Sequence, residues 1–526
     1  LNTDQVDQLY LLIRQKMDSV NFEEALSLTR KLQSLGEHTA SHNTYGFIIN
    51  LSGLLIDIGS ALTRENIVQE GIDLLKKDFD TITGNAKYSL AAYYSLANGY
   101  SSIAHFKRRK GPSVLYFKET ELNQACSLYR AALECGSDDP LINSQIWVNV
   151  GNCFDDLGRN IDALDCYEKA LTGKRDHAMA LGNKGVGLYS YAIAAGDHQG
   201  TFLVEAYSLI SQALKLGVNS EAVPQFERYL EAIRNRFKGK EYLLEESPKY
   251  PGYKIIAESE FERFLVKFCL DNKLYLNICN HCQRCDAAIG DTAVIRKMIV
   301  RLVNTSGESW PKGDQYLRLS AYFNQIKQDY VTARFLLILS KYKGLNLQFV
   351  DKHVKIINTF DYSVHNIRAE LVKSAFKGFY DILDKIAFFI NDYLGLGIRE
   401  EKIDFRMVWY SGKGKEIREQ IRNTSNSSLN ALFDIHRDFE EGIHKRLRLI
   451  RNGLTHRFIN VGMADDELSI TEYVLVERTL ELAKVARNSI LYLLQFVHIE
   501  EIKKEKASKG IIAPMFAQEL PDNLKN

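Results

Sequence analysis

SQIWVNVGNCFDDLGRNIDALDCYEKAL, residues 144–171, reads as two helices and the turn between them. Trp147, Val150, Gly151 and Phe154 recur at three- and four-residue steps, so they share one face of a first helix. Gly158 sits where the chain must turn. Ala163, Tyr167 and Ala170 repeat the same step on a second helix. Small residues let two helix backbones approach closely. Gly151 and Ala163 are therefore expected to face each other where the pair is tightest, with Trp147, Phe154 and Tyr167 filling the wider gaps.

The second-helix pattern recurs along the chain. Ala125, Tyr129 and Ala132 precede it, Ala206, Ile210 and Ala213 follow it, and Ala25, Thr29 and Leu32 give a weaker version near the start. Tyr93, Leu96, Ala97 and Tyr100 read as another first helix. The pattern resembles the tetratricopeptide repeat (TPR), a helix pair of about 34 residues. Spacings drift from that period, so loops are inserted, notably around HFKRRKGPSVLYF at 105–117. Residues 1–240 are expected to form a TPR-like α-solenoid. The resemblance implies a concave surface that binds a protein or peptide; a spacer or dimerisation element is the competing reading.

The whole chain fits that reading. At 526 residues it is too long for one domain, and 45% hydrophobic with 25% charged residues is ordinary globular composition. A formal net charge of +1 leaves any nucleic-acid affinity to a local patch. Only 8 prolines are present, which favours helices, and the expected class is all-α. No stretch is apolar over the ~18 residues a bilayer span needs, and LNTDQVDQLYLLIRQKMDSV lacks the features of a secretory signal. Eight cysteines, mostly in helical contexts such as GNCFDDL and LDCYEKAL, suggest reduced core thiols and a cytoplasmic protein with no membrane association.

Residues 241–360 read as a helical connecting region, entered through the linker ESPKYPGY at 246–253. Cys279, His281, Cys282 and Cys285 offer zinc-type ligands. Structural zinc sites use two ligand pairs separated by a longer loop, whereas these four crowd into seven residues. The expectation is a partly buried loop of thiols, with no metal. AVIRKMIVRLV and DQYLRLSAYFNQIKQDYVTARFLLILSKY follow as further helices. Neither GxxxxGK[ST] nor GxGxxG occurs at a strand–helix junction, and no cofactor is implied.

Residues 361–506 read as a helical bundle and 507–526 as a flexible tail. A first long helix, from Val364 to Leu394, places Phe376, Phe379, Leu383, Ile386 and Ile390 on one stripe. A second is expected to run unbroken from Ser427 or Ser428 through RNGLTHRF, with Phe439, Ile443, Leu447, Ile450, Leu454 and Phe458 as its core face. On the opposite face His444, Arg448, Asn452 and His456 stack four apart, with Arg451 beside them. Residues 444–457 contain five Lys or Arg and no Asp or Glu, so this face reads as a cationic surface for phosphate. A third helix begins at TEYVLVERTL.

Arg451, Asn452 and His456 together resemble the Rx4-6H motif of the HEPN superfamily (higher eukaryotes and prokaryotes nucleotide-binding). The pairing of repeats with such a domain is similar to prokaryotic defence proteins. The resemblance covers residues 360–505 and implies a metal-independent RNA endonuclease with Arg451, Asn452 and His456 as its catalytic residues. Such domains are expected to form a homodimer or higher oligomer that joins two motifs in one cleft. RNA carries its own nucleophile, the 2′-OH. An imidazole, titrating near ~6.5 in model peptides, moves protons at neutral pH. A guanidinium stabilises the charge of the pentavalent phosphorus. The expected products are a 2′,3′-cyclic phosphate and a 5′-OH, and DNA is expected to resist. His444, Arg448 and Arg457 are supporting RNA contacts. Antiviral defence is the implied setting. A non-catalytic adaptor that binds RNA or protein, and a toxin held by an antitoxin, are the alternatives.

Overall fold

A computed structural model describes residues 3–36, 44–110, 120–195, 199–246, 254–282, 284, 287–293, 301–304, 314–357, 363–412, 416–457, 459–462, 469–507, 511–514, 520 and 525. Most of the 246–253 linker and of AVIRKMIVRLV, together with Cys285 and Phe458, lie outside them.

The described residues form twenty α-helices and three two-stranded sheets. In chain order the helices are α1 Thr3–Asp18, α2 Phe22–Gly36, α3 Thr44–Ala61, α4 Glu65–Lys76, α5 Phe79–Thr83, α6 Ala86–Lys110, α7 Thr120–Cys135, α8 Pro140–Asp156, α9 Asn160–Gly173 and α10 Ala178–Ala195. There follow α11 Gln199–Leu216, α12 Val223–Arg236, α13 Tyr242–Glu246, α14 Glu260–Asp271, α15 Asp314–Lys341, α16 Ile367–Leu394, α17 Glu419–Arg422, α18 Ser427–Glu440, α19 Lys445–His456 and α20 Glu472–Ala507. Two compact units result, residues 1–187 with 209–230, and residues 188–208 with 231–526.

In the first unit successive helices pack as hairpins, α1 on α2, α3 on α4, α6 on α7 and α8 on α9. The recurring second-helix residues are buried throughout: Ala25, Thr29, Ala125, Tyr129, Ala132, Ala163, Tyr167 and Ala170. Gly151 faces Tyr167 rather than the expected Ala163: an added Cβ would lie 2.5 Å from Tyr167 Cε1, so glycine is what admits the tyrosine ring. The Tyr167 hydroxyl donates to Asn152 Oδ1 at 3.0 Å. Asp139 caps α8 by accepting the Leu141 N–H at 2.8 Å, and Gly158 turns the chain toward α9 with φ +83°. Cys153 and Cys166 are buried thiols, and burial raises both above the usual thiol range.

The core of the second unit is formed by α15, α16, α18 and α20. Phe376, Phe379, Leu383, Ile386 and Ile390 of α16 are buried, as its apolar stripe predicts, each worth about 1.5–3 kcal/mol. Asn366 caps α16 by accepting the Ala369 N–H at 2.9 Å, and Gly395 ends it in the left-handed region at φ +60°. From α20, Arg487 donates to the carbonyls of Tyr275 and Asn277; from α15, Arg334 pairs with Asp291 at 2.7 Å. These bonds hold the segment that carries Cys279, His281 and Cys282 against the bundle. The Cys282 thiol donates to the Thr201 carbonyl at 3.6 Å, and Lys273 Nζ lies 3.5 Å from His281 Nδ1.

Several expectations about the course of the chain differ from the structure. The helix drawn from Ser427 to Phe458 is broken: α18 ends at Glu440 and α19 begins at Lys445. Gly442 sits in the break, where a Cβ would lie 2.5 Å from Asp438 Oδ1 and 2.7 Å from its Cα. Because the chain turns there, Ile443 is exposed and does not join Phe439, Leu447 and Ile450 in the core. The tail after 506 is also not wholly irregular, since Ile511–Pro514 pairs antiparallel with Arg301–Asn304, and that pairing makes the described end of AVIRKMIVRLV a strand where a helix is expected.

Candidate functional site

The site is built on α19. Leu447 and Ile450 bury its inner face, Arg451 is half-buried at the edge of that face next to Asn452, and His456 and Arg457 are exposed. Arg451 Nη1 lies 3.3 Å from His456 Nε2 and 3.4 Å from Asn452 Oδ1. The three motif residues therefore meet in one hydrogen-bonded cluster. Arginine only donates, so a hydrogen bond here requires Nε2 as the acceptor and the Nδ1–H tautomer of the ring.

Helix α16 supplies the floor. The Arg451 guanidinium lies over the Tyr380 ring, 5.1 Å from its centroid, and Nη2 is 4.0 Å from Asp384 Oδ2. Tyr380 is held edge-on by Phe439 of α18, with ring centroids 5.5 Å apart. Burial pushes the Tyr380 phenol up to about 12, Asp384 adding to the effect and Arg451 opposing it. Burial also raises the Asp384 carboxyl above its ordinary range, although the Phe405 N–H donates to it at 2.9 Å and Arg451 stands near.

The cationic face is not unopposed. Arg448 Nη1 is 3.3 Å from both carboxylate oxygens of Glu440. His444, expected among the RNA contacts, is instead 4% exposed. Its Nδ1 lies 2.8 Å from Glu481 Oε1 on α20, and its Nε2 is 3.9 Å from Asp438 Oδ2. It stands at the helix break rather than on the outer stripe, so it joins helices instead of facing solvent. Burial tends to raise the Glu481 carboxyl, but hydrogen bonds and charge from His444 and Arg478 outweigh it and hold it below the ordinary range. Sequence periodicity does not single out Tyr380, Asp384, Glu440 or Glu481. Tyr380 and Asp384 share an i, i+4 face of α16, yet nothing in that spacing points to a residue 67 or more positions away.

Residues 311–500 match the model of the family described as LA2681-like HEPN. No protein of curated function matches the chain. Among solved structures, a thermophilic TPR protein from Thermus thermophilus is similar at 15% identity over 43% of this chain and 98% of its own, with a TM-score of 0.32. MamA protein is similar at 17% identity over 41% of this chain and 98% of its own, with a TM-score of 0.26. The TPR2AB domain of yeast Sti1, in its pHSP90 complex, gives 12% identity over 44% and 99%, with a TM-score of 0.17. Among the described residues no helix is long and apolar enough to cross a membrane. Residues 311–500 thus carry a HEPN domain of the LA2681-like kind, and the helices before it pack as successive hairpins.

Proposed function

We propose that the HEPN domain is a metal-independent RNA endonuclease, with Arg451, Asn452 and His456 as its catalytic residues and a second copy completing the cleft. The observation that carries this reading is the exposed His456 imidazole at 3.3 Å from Arg451 Nη1, with Asn452 beside them. His456 takes the proton of the 2′-OH. The 2′-oxygen forms its bond to phosphorus, the bond to the 5′-oxygen breaks, and a protonated imidazolium of the facing copy gives its proton to the leaving oxygen. Arg451 turns from His456 to the phosphorane oxygens, where its fork matches the developing charge. Arg448 and Arg457 lie along the RNA path; His444 does not. The TPR-like unit binds a protein or peptide trigger and restrains the nuclease, an arrangement suited to antiviral defence.

The test is a labelled single-stranded RNA with purified protein in EDTA. Cutting that persists in EDTA, leaves a 2′,3′-cyclic phosphate and vanishes in His456→Ala supports the proposal. Cutting abolished by EDTA, or unchanged in His456→Ala, refutes it. RNA binding without cutting by the wild type in the presence of its activating partner favours the adaptor.

A further inference from the structure

We infer that Tyr380 and Asp384 of α16 are positioning residues that aim Arg451 at His456. This deepens the nuclease reading and rests on it for its kinetic consequence only. A solvent-facing arginine on a helix has many rotamers and loses side-chain entropy when fixed. Arg451 is fixed from two directions. The Tyr380 face lies under the guanidinium, and the Asp384 carboxylate faces Nη2. Each support is itself anchored, Tyr380 by the Phe439 ring and Asp384 by the Phe405 N–H. With the plane set by the ring and one edge drawn to the carboxylate, the remaining amino group points at His456 Nε2. Tyr380 and Asp384 need no contact with RNA for this; they act through Arg451.

The arrangement gives the resting site a defined state. The guanidinium occupies the Nε2 lone pair, which is the position a general base must have open. An arriving phosphate offers the guanidinium a charged partner in place of a neutral nitrogen, and charge-assisted bonds are the stronger kind. The same event that places the phosphate therefore uncovers the base. Asp384 keeps Arg451 within reach of both partners, so the exchange needs only a rotation at the end of the side chain.

Two readouts test this on the full-length protein. The first is independent of catalysis: 15N shifts of histidine-labelled protein, with His456→Gln to assign the resonance. The neutral His456 of the wild type should carry its proton on Nδ1, and Tyr380→Leu should move the population toward the Nε2–H form. Tyr380→Phe keeps the ring face and should match the wild type. The second readout is kinetic, by single-turnover and steady-state RNA cleavage in EDTA. Loss of the cation–ring contact in Tyr380→Leu should lower kcat about 3- to 30-fold with KM little changed, and Tyr380→Phe should restore it. Asp384→Asn keeps an acceptor for the Phe405 N–H and should also lower kcat. A wild-type His456 protonated on Nε2, or a Tyr380→Leu protein with wild-type tautomer and wild-type kcat, overturns the inference. If the wild type cuts no RNA with its trigger present, the nuclease reading fails by itself, and the tautomer still decides whether Tyr380 aims Arg451.

Discussion

Replacing Gly151 by alanine tests the helix pair on which the front half is built. In an open helix this change stabilises by ~1 kcal/mol, because alanine has the higher propensity. Here the new Cβ would stand 2.5 Å from Tyr167 Cε1, 2.9 Å from Cδ1 and 3.1 Å from Cζ. Carbon atoms rest at about 3.5–4.0 Å, so the ring or the helix must retreat by about 1 Å. Tyr167 is 2% exposed, and its hydroxyl is tied to Asn152, the residue next to Gly151, so the ring has no outward path. Overpacking costs about 1–3 kcal/mol and the strained hydrogen bond ~1 more, against ~1 kcal/mol gained from propensity. The net loss is about 1–3 kcal/mol. For a unit of this size that lowers the melting midpoint by roughly 2–12 °C, read from circular dichroism on the transition of the first unit. Adding Tyr167→Leu should recover much of the loss through relief of the contact. A Gly151→Ala protein that melts at or above the wild-type temperature would refute the close approach.

Two further outcomes are expected. Asn366→Ala removes the acceptor for the Ala369 N–H at the start of α16 and should cost ~1 kcal/mol, measurable by urea unfolding. The Glu481 carboxyl is held below its ordinary value in the folded protein, so it contributes stability above the usual glutamate range, and that contribution is lost as pH falls through the depressed value. Glu481→Gln should therefore flatten the acid limb of a stability-against-pH curve, and an unchanged limb would exclude the His444–Glu481 pairing as its source.

The fold is largely legible in the sequence because its signals are local. Ala125, Tyr129 and Ala132, like Ala163, Tyr167 and Ala170, announce a tight helix pair by size alone, and all six are buried. The stripe of α16 is equally plain, since apolar spacing and burial report the same face. The break between α18 and α19 is hidden because Phe439, Ile443 and Leu447 keep step across it, although Gly442 marks the place. At the candidate site, spacing brings Arg451, Asn452 and His456 together, and the structure places them in contact. Periodicity on one helix cannot see what another helix brings. The carboxylates of Glu440 and Asp384 and the ring of Tyr380 reach this site through tertiary packing, the same kind of contact that elsewhere clasps Arg487 to Tyr275 and Asn277, more than two hundred residues away.

On the proposed RNA path, the carboxylates of Glu440 and Asp384 beside Arg448 and Arg451 would change what drives a polyanion onto the surface. Bare cations gain from shedding mobile ions into solution, an entropic reward that grows with dilution. Where acidic side chains already stand in for those ions, little is shed, and an incoming phosphate instead trades places with a tethered competitor. Attachment at such a spot is governed by the quality of the exchange rather than by the salinity of the medium.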